Sequence, residues 1–402
     1  MTAVRSDVTR SAVLAHIAAN GPMSRADIAR ALSLSSAMAS IVTKQLIDEG
    51  LLLELDDVVP GQRGRPARLL GLSATAGHAV GVKLGRDHVT LVEVAIDSPL
   101  AVRFASEPLD PASAGYMQEL VAIISRFVAS SASRLLGIGI GVPGTVDAQD
   151  SGVVDSIVLG MRGVPLGQTL RHALGMPVIV ENNINALAVA ERLFGLGRHH
   201  ETFLVVAVGD EIGVSAIVDG MLVRGATGAA GEIAHVRVLA DGPECECGNS
   251  GCLVAVIGPD ALVATARRRG VIPERATITA LGAAADAGEQ SAQAVFGEAG
   301  HILGSTLAIV TQTLDPEIVI VLGGATASWS HWAFGFEPAF RSALPPARRG
   351  LPVEIEPWQD ISWAQGAAAL VFATPFDVDG VAGDQGRLVR ERLFGQVSPR
   401  DD

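Results

Sequence analysis

All three cysteines of this chain fall within eight residues, and a histidine precedes the first of them by ten positions. The four residues are His235, Cys245, Cys247 and Cys252. Three thiolates and one imidazole form a closed tetrahedral ligand set for Zn²⁺, which leaves no position open for water. The spacing therefore predicts a structural zinc site. Two alternatives stay open: three reduced thiols without metal and, less favoured, a redox pair, which usually stands as Cys-x-x-Cys before a helix.

These ligands need a folded body, and the composition of the 402-residue chain provides for one. Hydrophobic residues make up 49% and charged residues 18%, which excludes a disordered chain, and the length suggests two or three domains. No uninterrupted apolar run reaches the ~18 residues of a membrane span, and the N-terminus lacks the layout of a signal peptide. We therefore expect a cytoplasmic protein that contacts no membrane.

Charge is distributed unevenly along the chain. The formal net charge is −13, of which the first 72 residues carry +1 and the remaining 330 residues carry −14. A near-neutral head on an acidic body is typical of a small DNA-binding module attached to a soluble sensor. Ordinary fluctuation in composition is the alternative interpretation.

Residues 1–72 have the pattern of three short helices and a hairpin. Ser24 to Asp27 resembles a capping box that starts the second helix, and a third helix is predicted at roughly 35–49. We predict that its apolar residues face inward: Met38, Ile41, Val42, Leu46 and Ile47. The other face is small and polar, as a helix entering a DNA major groove requires, because bulky acids would repel phosphates. We predict DNA contacts from this face: Ser36, Ala37, Ser40, Thr43 and Lys44.

Two predicted strands, 51–55 and 68–72, flank a loop that contains Arg63-Gly64-Arg65-Pro66. Arginine side chains on a slim Gly/Pro backbone can enter a narrow minor groove, so we predict that Arg63 and Arg65 contact DNA. The head is therefore predicted to be a winged helix-turn-helix domain. A protein-interaction module is the alternative for the head, and a solvated turn is the alternative for the arginines.

The body contains an internal repeat. Predicted strands at 78–84, 89–96 and 100–106 recur at 203–208, 213–218 and 221–223, and both sets lead into alternating helices and strands. This layout predicts two α/β lobes around a cleft. Duplicated lobes of this kind suggest the actin-like sugar-kinase superfamily, and two unrelated α/β domains are the alternative.

Four segments together resemble the ROK family of sugar kinases and sugar-responsive repressors. They are GEIAH (231–235) followed by CECGNSGCL, GIGIGVPGTVD (137–147), ENNINALAVAE (181–191) and LDPEIVIVLGG (314–324). The head, with SRADIARALSLSSAMASIVTKQLIDEGLL and RGRPA, resembles the family's repressor branch. The resemblance implies an α/β fold: a winged helix-turn-helix at 1–72, then a two-lobed actin-like, sugar-kinase-like body at 73–376 with its zinc segment at 231–254. A C-terminal tail remains at 377–402, either frayed or packed through Leu388, Val389, Leu393 and Phe394.

The phosphate-transfer motifs of the family's kinases are altered in three places. Those kinases share an Asp-x-Gly-Gly-Thr loop, where this chain has Val-Lys-Leu-Gly-Arg at 82–86. Asp210 and Glu211 in the second phosphate hairpin would repel a triphosphate. Asn183 stands where the kinases have the general base, and an amide cannot accept the hydroxyl proton. We therefore expect a body that binds a ligand but is not an enzyme.

The resemblance also implies a sugar pocket lined by four residues: Asn182, Asn183, Glu232 and His235. Amides and carboxylates suit this role because each can pair with adjacent hydroxyl groups. The family's Glu after the last Cys is Val254 here, and the family's Asn before 162–165 is Ile157, which should weaken or alter sugar binding. Capping of local turns is the alternative for Asn182 and Glu232.

We therefore predict a zinc-stabilised transcriptional regulator of carbohydrate metabolism, of repressor type. A small carbohydrate would favour one lobe closure and thereby change the spacing of paired heads on double-stranded operator DNA with an inverted repeat. This mechanism needs a homodimer or homotetramer. Three alternatives remain: an active sugar kinase with a regulatory head, a regulator that has lost its small ligand and responds to a protein partner, and a zinc-dependent scaffold that does not bind DNA.

Overall fold

The computed structural model describes residues 2–58, 68–357, 359–376 and 382–395. The chain divides into two compact units: residues 1–199 with 361–402, and residues 200–360. The head therefore belongs to the same unit as the first α/β region. The domain boundary at residue 72 stays a prediction.

The head consists of three helices and a small antiparallel sheet. Its elements are α1 (Thr2–Asn20), β1 (Met23–Ser24), α2 (Arg25–Ala31), α3 (Ser36–Asp48), β2 (Leu52–Val58) and β3 (Arg68–Leu72), with the strand order β1-β3-β2. The predicted start of α2 is confirmed, because the Ser24 side chain accepts a hydrogen bond from the Asp27 backbone N–H. Ser35 caps α3 in the same way through the N–H of Met38. These caps satisfy N–H groups that a helix leaves without partners at its start.

The first α/β region follows directly. Its elements are β4 (His78–Leu84), β5 (His88–Ala95), β6 (Ala101–Pro108), α4 (Tyr116–Ala129), β7 (Leu135–Val142), β8 (Thr145–Val146), β9 (Val153–Ser156), β10 (Met161–Pro165), α5 (Leu166–Leu174), β11 (Val178–Asn182) and α6 (Asn183–Phe194). The central sheet has the order β11-β7-β4-β5-β6. Strands β4, β7 and β11 run parallel, so their carboxyl ends meet at one edge.

The second unit repeats this arrangement. Its elements are β12 (Phe203–Ala207), β13 (Gly213–Val218), β14 (Met221–Leu222), α7 (Leu253–Ile257), α8 (Pro259–Arg268), α9 (Ile278–Asp286), α10 (Gln290–Leu314), β15 (Ile318–Leu322), α11 (Trp329–Ala343) and β16 (Val353–Ile355). The sheet order is β14-β13-β12-β15-β16, with β12–β14 antiparallel and β12, β15 and β16 parallel. The predicted internal repeat of two α/β lobes is confirmed.

The chain then returns to the first unit with α12 (Ser362–Ala373) and α13 (Gly383–Phe394). Helix α12 lies directly on the sheet. A Cβ atom at Gly81 would be 1.9 Å from the carbonyl oxygen of Ala364, and one at Gly139 would be 1.8 Å from that of Ala367. Only glycine permits this approach, so these two strand positions fix how closely the helix packs.

Helix α13 lies within the predicted C-terminal tail. Val389 and Leu393 are buried, with 0% and 1% of their surface exposed. Of the two alternatives for this segment, the packed helix is the one that the structure contains. Residues 377–381 and 396–402 of the tail lie outside the described residues.

Helix α10 is, within the described parts of the chain, the one helix long and apolar enough to cross a membrane. It has 25 residues, and 56% of its most apolar window is buried. It packs against α11, where a Cβ atom at Gly335 would be 1.8 Å from the carbonyl oxygen of Gly297. A core helix has these same properties.

One further contact ties the head to the body of its own unit. A 3-10 turn, Leu196–His199, follows α6. The Arg198 guanidinium donates a hydrogen bond of 2.8 Å to the carbonyl oxygen of Ala18, near the end of α1. The turn after α6 is thereby attached to the first helix of the head.

Candidate functional site

The exposed face of α3 differs from the predicted face. Ala39, Val42 and Leu46 are buried, whereas Met38 and Ile41 are 46% and 55% exposed. The prediction that Met38 and Ile41 face inward was wrong. The helix is rotated toward its smaller residues, because Ala39 at the centre of the buried stripe lets α3 pack closely within the head.

Thr43 also lies on the opposite face of α3 from the one predicted. It was predicted to contact DNA, but its side chain is fully buried and cannot reach a groove directly. Its hydroxyl donates to the carbonyl oxygen of Ala39 at 2.7 Å and accepts from Arg25 Nε at 3.1 Å. Arg25 also donates to Glu54 of β2 at 2.7 Å. Thr43 therefore holds α3 against α2 and the hairpin, which explains why a polar residue is stable inside.

The other predicted contact residues of α3 are all exposed: Ser36, Ala37, Ser40 and Lys44. No acidic residue occurs in α3 before Asp48. This part of the helix can approach phosphates without repulsion. Arg63 and Arg65 of the predicted wing lie outside the described residues.

The predicted metal ligands come together in the second unit. The ligand atoms of His235, Cys245, Cys247 and Cys252 all lie within 4.8 Å of one another. The Cys247 and Cys252 sulfurs are 3.6 Å apart, and Cys245 Sγ is 3.5 Å from His235 Nδ1. Four ligands around one Zn²⁺ at a Zn–S distance of about 2.3 Å would place two sulfurs about 3.7 Å apart. The cluster can therefore hold a metal ion.

Backbone turns bring these ligands together. A Cβ atom at Gly251, which has a φ of 72°, would be 1.8 Å from the carbonyl oxygen of Leu239.

A hydrogen bond from the backbone N–H of Asn249 lowers the pKa of Cys247 to about 7. Burial, with the neighbouring thiols, raises the pKa of Cys252 to about 12. Three thiolates this close repel one another, so a bound cation is what would stabilise the ionised set.

Asn182 and Asn183 lie at the carboxyl end of β11, where α6 begins. Asn182 caps α6, because its side-chain oxygen accepts from the N–H groups of Ile184 and Asn185 at 2.8 and 3.2 Å. Its amide nitrogen donates to Gly144 at 2.9 Å. The capping alternative therefore holds for Asn182.

Asn183 is fully buried at the first position of α6. A Cβ atom at Gly141 of β7 would lie only 2.6 Å from Asn183 Oδ1, so the amide rests on bare backbone. A buried network next to Asn183 was not predicted from the sequence. The buried Glu181 accepts from Gln149 at 2.9 Å and from Asn185 at 3.1 Å. The one available signal was a carboxylate directly before the two asparagines.

Glu232 belongs to the second unit and precedes the 3-10 turn Ile233–His235. Its side chain makes no capping hydrogen bond within the described residues, so the capping alternative fails for it. Burial raises the pKa of Glu232, the neighbouring His235 opposes that shift, and Glu211 adds to it. A half-buried carboxyl group of this kind is suited to hydrogen-bonding a ligand hydroxyl.

The departures from the family pattern occupy definite places. Ile157 is 57% exposed, and Val254 packs against the core of the second unit. The Lys83 ammonium group lies 4.7 Å from the centre of the Trp363 ring, at the end of β4. Asp210 is exposed in the hairpin between β12 and β13. These side chains differ in charge or polarity from those of the kinase motifs.

Comparison with known proteins decides the family. The ROK family profile matches residues 79–372. The chain belongs to the ROK family. The DNA-binding transcriptional dual regulator NagC of Escherichia coli is 30% identical over 364 residues, which cover 87% of this chain and 89% of NagC.

Two solved ROK structures place the fold. A ROK family transcriptional regulator, a homologue of the E. coli MLC protein, superposes with a TM-score of 0.79 at 24% identity and covers 97% of this chain and 99% of its own. A ROK family glucokinase from Streptomyces griseus, in complex with glucose and AMPPNP, has a TM-score of 0.65 at 26% identity and covers 73% of this chain and 99% of its own. The regulator thus covers nearly the whole chain, whereas the glucokinase covers about three quarters of it.

Proposed function

We propose that this chain is a sugar-responsive transcriptional regulator of carbohydrate metabolism, of repressor type. Its head binds operator DNA, and its body binds a small carbohydrate effector without transferring phosphate. We propose further that the four-ligand cluster holds structural Zn²⁺. A homodimer or homotetramer in the cytoplasm would present paired heads to an inverted repeat.

The observation that carries this proposal is the exposed, acid-free face of α3 in a three-helix head. The alignment with NagC spans 87% of the chain, so it extends beyond the 330 residues that follow the head. A second argument is geometric: one helix reads only a few base pairs, so specific binding needs two heads on two half-sites.

The zinc proposal is supported by the ligand set and its distances. When bound, the ion would cross-link the loop from His235 to Cys252. His235 would use one ring nitrogen for the metal, which fixes the orientation of its imidazole. With three Cys and one His as ligands the coordination is complete, so the ion would support the fold and take no part in chemistry.

The sugar proposal is made residue by residue. Asn183 in the first unit and Glu232 in the second are polar, buried or half-buried, and not used as caps. The glucokinase relative binds glucose, which supports a carbohydrate as the class of effector. Removing either group should remove a hydrogen bond worth ~1 kcal/mol or more to the sugar.

The absence of phosphate transfer is proposed from three substitutions. The segment Val-Lys-Leu-Gly-Arg at 82–86 lacks the acid and the paired glycines of the kinase loop, Asp210 and Glu211 bring negative charge to the second hairpin, and Asn183 replaces the base. Coupled assays of ATP consumption with a panel of hexoses test this point. Turnover above the background without sugar would make the kinase alternative correct.

Selection from random DNA duplexes with the purified full-length chain tests DNA binding. We expect enrichment of an inverted repeat whose half-sites lie about one helical turn, or a multiple of it, apart. Ser40→Glu should weaken binding at least about tenfold, because it places an acid against phosphates. Ser305→Glu is the matched control, since Ser305 is exposed on α10 of the second unit. If no repeat is enriched, the scaffold alternative is favoured.

A thermal-shift screen with sugars and sugar phosphates tests the effector. We expect at least one compound to raise the melting temperature and to change operator affinity. Glu232→Gln should reduce the response to that compound and leave the melting temperature without sugar nearly unchanged. A screen without any response would favour a regulator that answers to a protein partner.

A further inference from the structure

Two large apolar side chains stand on the outer surface of the head. Ile41 is 55% exposed and Met38 is 46% exposed, and they are the only exposed large apolar residues among the head's described residues. Both lie on α3, and the rest of its outer surface is small or polar. Single exposed apolar side chains are common on protein surfaces, so the argument depends on where these two stand, which is the face of α3 that a DNA groove would meet.

Helical spacing puts Ile41 at the centre of the outer face. Ala37, Ile41 and Lys44 follow one another at intervals of four and three residues, which aligns them on one side of the helix. The buried stripe of Ala39, Val42, Thr43 and Leu46 lies on the other side. Ile41 is therefore within the first two turns of α3, the part of a recognition helix that meets base edges.

The chemistry of this face selects among base pairs. The only apolar group that a base presents in the major groove is the C5-methyl group of thymine. Ala37 and Ile41 offer matching methyl groups, and the exposed Gln45 can pair with adenine N6 and N7. Helix α3 contains no arginine, the side chain that most often reads guanine.

The charge of the outer face of α3 also favours DNA as its partner. Lys44 supplies a positive charge beside Ile41, and the first acid of the helix is Asp48. The nearest arginine at the start of α2, Arg25, is paired with Glu54 at 2.7 Å. The face is thus weakly basic and apolar at its centre, which complements a groove rimmed by phosphates and lined by thymine methyl groups.

We propose that α3 reads A·T base pairs, with Ile41 as the specificity-determining residue that contacts a thymine methyl group in each half-site and Met38 beside it. This inference rests on the proposed function, because it specifies which bases the head recognises. It assigns no base contact to Thr43, which is used inside the head.

The test begins with the enriched duplex from the selection with the full-length chain. Each thymine of one half-site is replaced in turn by deoxyuridine, which removes only the C5-methyl group. We expect one or two positions at which this replacement weakens binding about fourfold, the ratio that corresponds to one buried methyl group. Ile41→Ala should bind the unmodified duplex more weakly and lose the sensitivity to deoxyuridine at one of those positions.

Two control variants separate the methyl contact from other effects. Val102→Ala removes an apolar side chain that is 60% exposed on β6, a strand outside the head, and should leave affinity and deoxyuridine sensitivity unchanged. Lys44→Ala should weaken binding to all duplexes and keep the sensitivity to deoxyuridine, because it removes a phosphate contact.

The outcomes distinguish this inference from the proposed function. An enriched repeat that is bound equally with thymine and deoxyuridine, or whose sensitivity survives in Ile41→Ala, overturns the methyl contact and leaves operator binding in place. Unchanged duplex binding by Ile41→Ala would mean that Ile41 makes no contact that contributes to affinity, which also overturns it. If no repeat is enriched, both fail together.

Discussion

The two sheets share one strand order but achieve close packing by different means. In the first unit, the glycines lie in the strands: Gly81 in β4 and Gly139 in β7 let α12 rest on the sheet. In the second unit, β12 and β15 consist of fully buried side chains larger than glycine. There the glycines lie between helices, with Gly335 of α11 against Gly297 of α10.

This difference has a counterpart at the edge where ligands bind in such sheets. The alternating glycines of strand β7 continue to Gly141, which leaves room for the amide of Asn183. Strand β15 offers no such room. The two units therefore share one topology. The position of the glycines determines which of the two sheets has room for a polar side chain on its surface.

The largest expected effect is confined to the second unit. At the proposed zinc site, Cys252→Ser should abolish metal binding and lower the free energy of unfolding of that unit by more than about 4 kcal/mol, because a buried ligand would be lost and three donors would remain without an ion. Metal content and hydrogen exchange over 231–257 would measure this. Glu244→Gln, an exposed neighbour of Cys245, is the control. Equal loss of protection in both units would contradict the prediction that the effect is confined to the second unit.

The next effect is confined to the first unit. Gly139→Ala should destabilise it by about 3 kcal/mol or more, because the new Cβ would meet the carbonyl oxygen of Ala367 at 1.8 Å. Chemical denaturation followed by hydrogen exchange would localise the change. A melting curve equal to that of the parent chain would show that α12 shifts freely on the sheet.

A matched pair sharpens the comparison within the second unit. Gly335→Ala should destabilise the contact between α10 and α11 by about 1–3 kcal/mol, since its Cβ would be 1.8 Å from the carbonyl oxygen of Gly297. Gly297→Ala meets nothing within 4 Å and should raise helix stability by up to about 1 kcal/mol. Thermal unfolding measures both, and equal shifts of the same sign would contradict the close approach.

The smallest effect concerns pH. Burial would raise the pKa of Glu93, but hydrogen bonds from Arg103, Ser133 and Ser131 outweigh it and hold the pKa below the ordinary value of 4.5. Glu93 therefore stabilises the first unit at neutral pH, and that contribution is lost as the pH falls below about 4.5. His78 Nδ1 also contacts this carboxyl group, at 2.8 Å.

Acid titrations of unfolding free energy would measure this dependence. Glu93→Gln should flatten the acid side of the curve. The control Glu107→Gln breaks an exposed pair with Arg126 and should change stability by less than about 1 kcal/mol. If the unfolding free energy of Glu93→Gln fell at low pH as steeply as that of the parent chain, Glu93 would not be the source of this loss.

Features set by local chemistry were predictable from the sequence. The four residues of the His/Cys cluster lie within eighteen residues and are joined by glycine turns, so local spacing brings them together. The start of α2 is likewise local, because Ser24 and Asp27 form the cap between themselves. The repeat of strand and helix was visible because hydrophobic periodicity reports burial directly.

Features set by packing were not predictable. The buried face of α3 includes Thr43, whose partner Arg25 belongs to another helix and also reaches Glu54. A residue-type argument placed bulky Ile41 inside and Thr43 outside, whereas Ile41 is 55% exposed and Thr43 is buried with its hydroxyl paired to Arg25. The buried Glu181 needs Gln149, 32 positions earlier, to be stable inside, and a sequence pattern does not show such a partner.

The hydrogen bond between Arg198 and Ala18 connects the segment after α6 to the first helix of the head. The helix begins at Asn183, and its twelve residues form a rod about 18 Å long at 1.5 Å per residue. Arg198, in the turn that follows it, holds the end of α1. The amide of Asn183 and the contact with the head therefore lie at opposite ends of one helix and the turn that follows it.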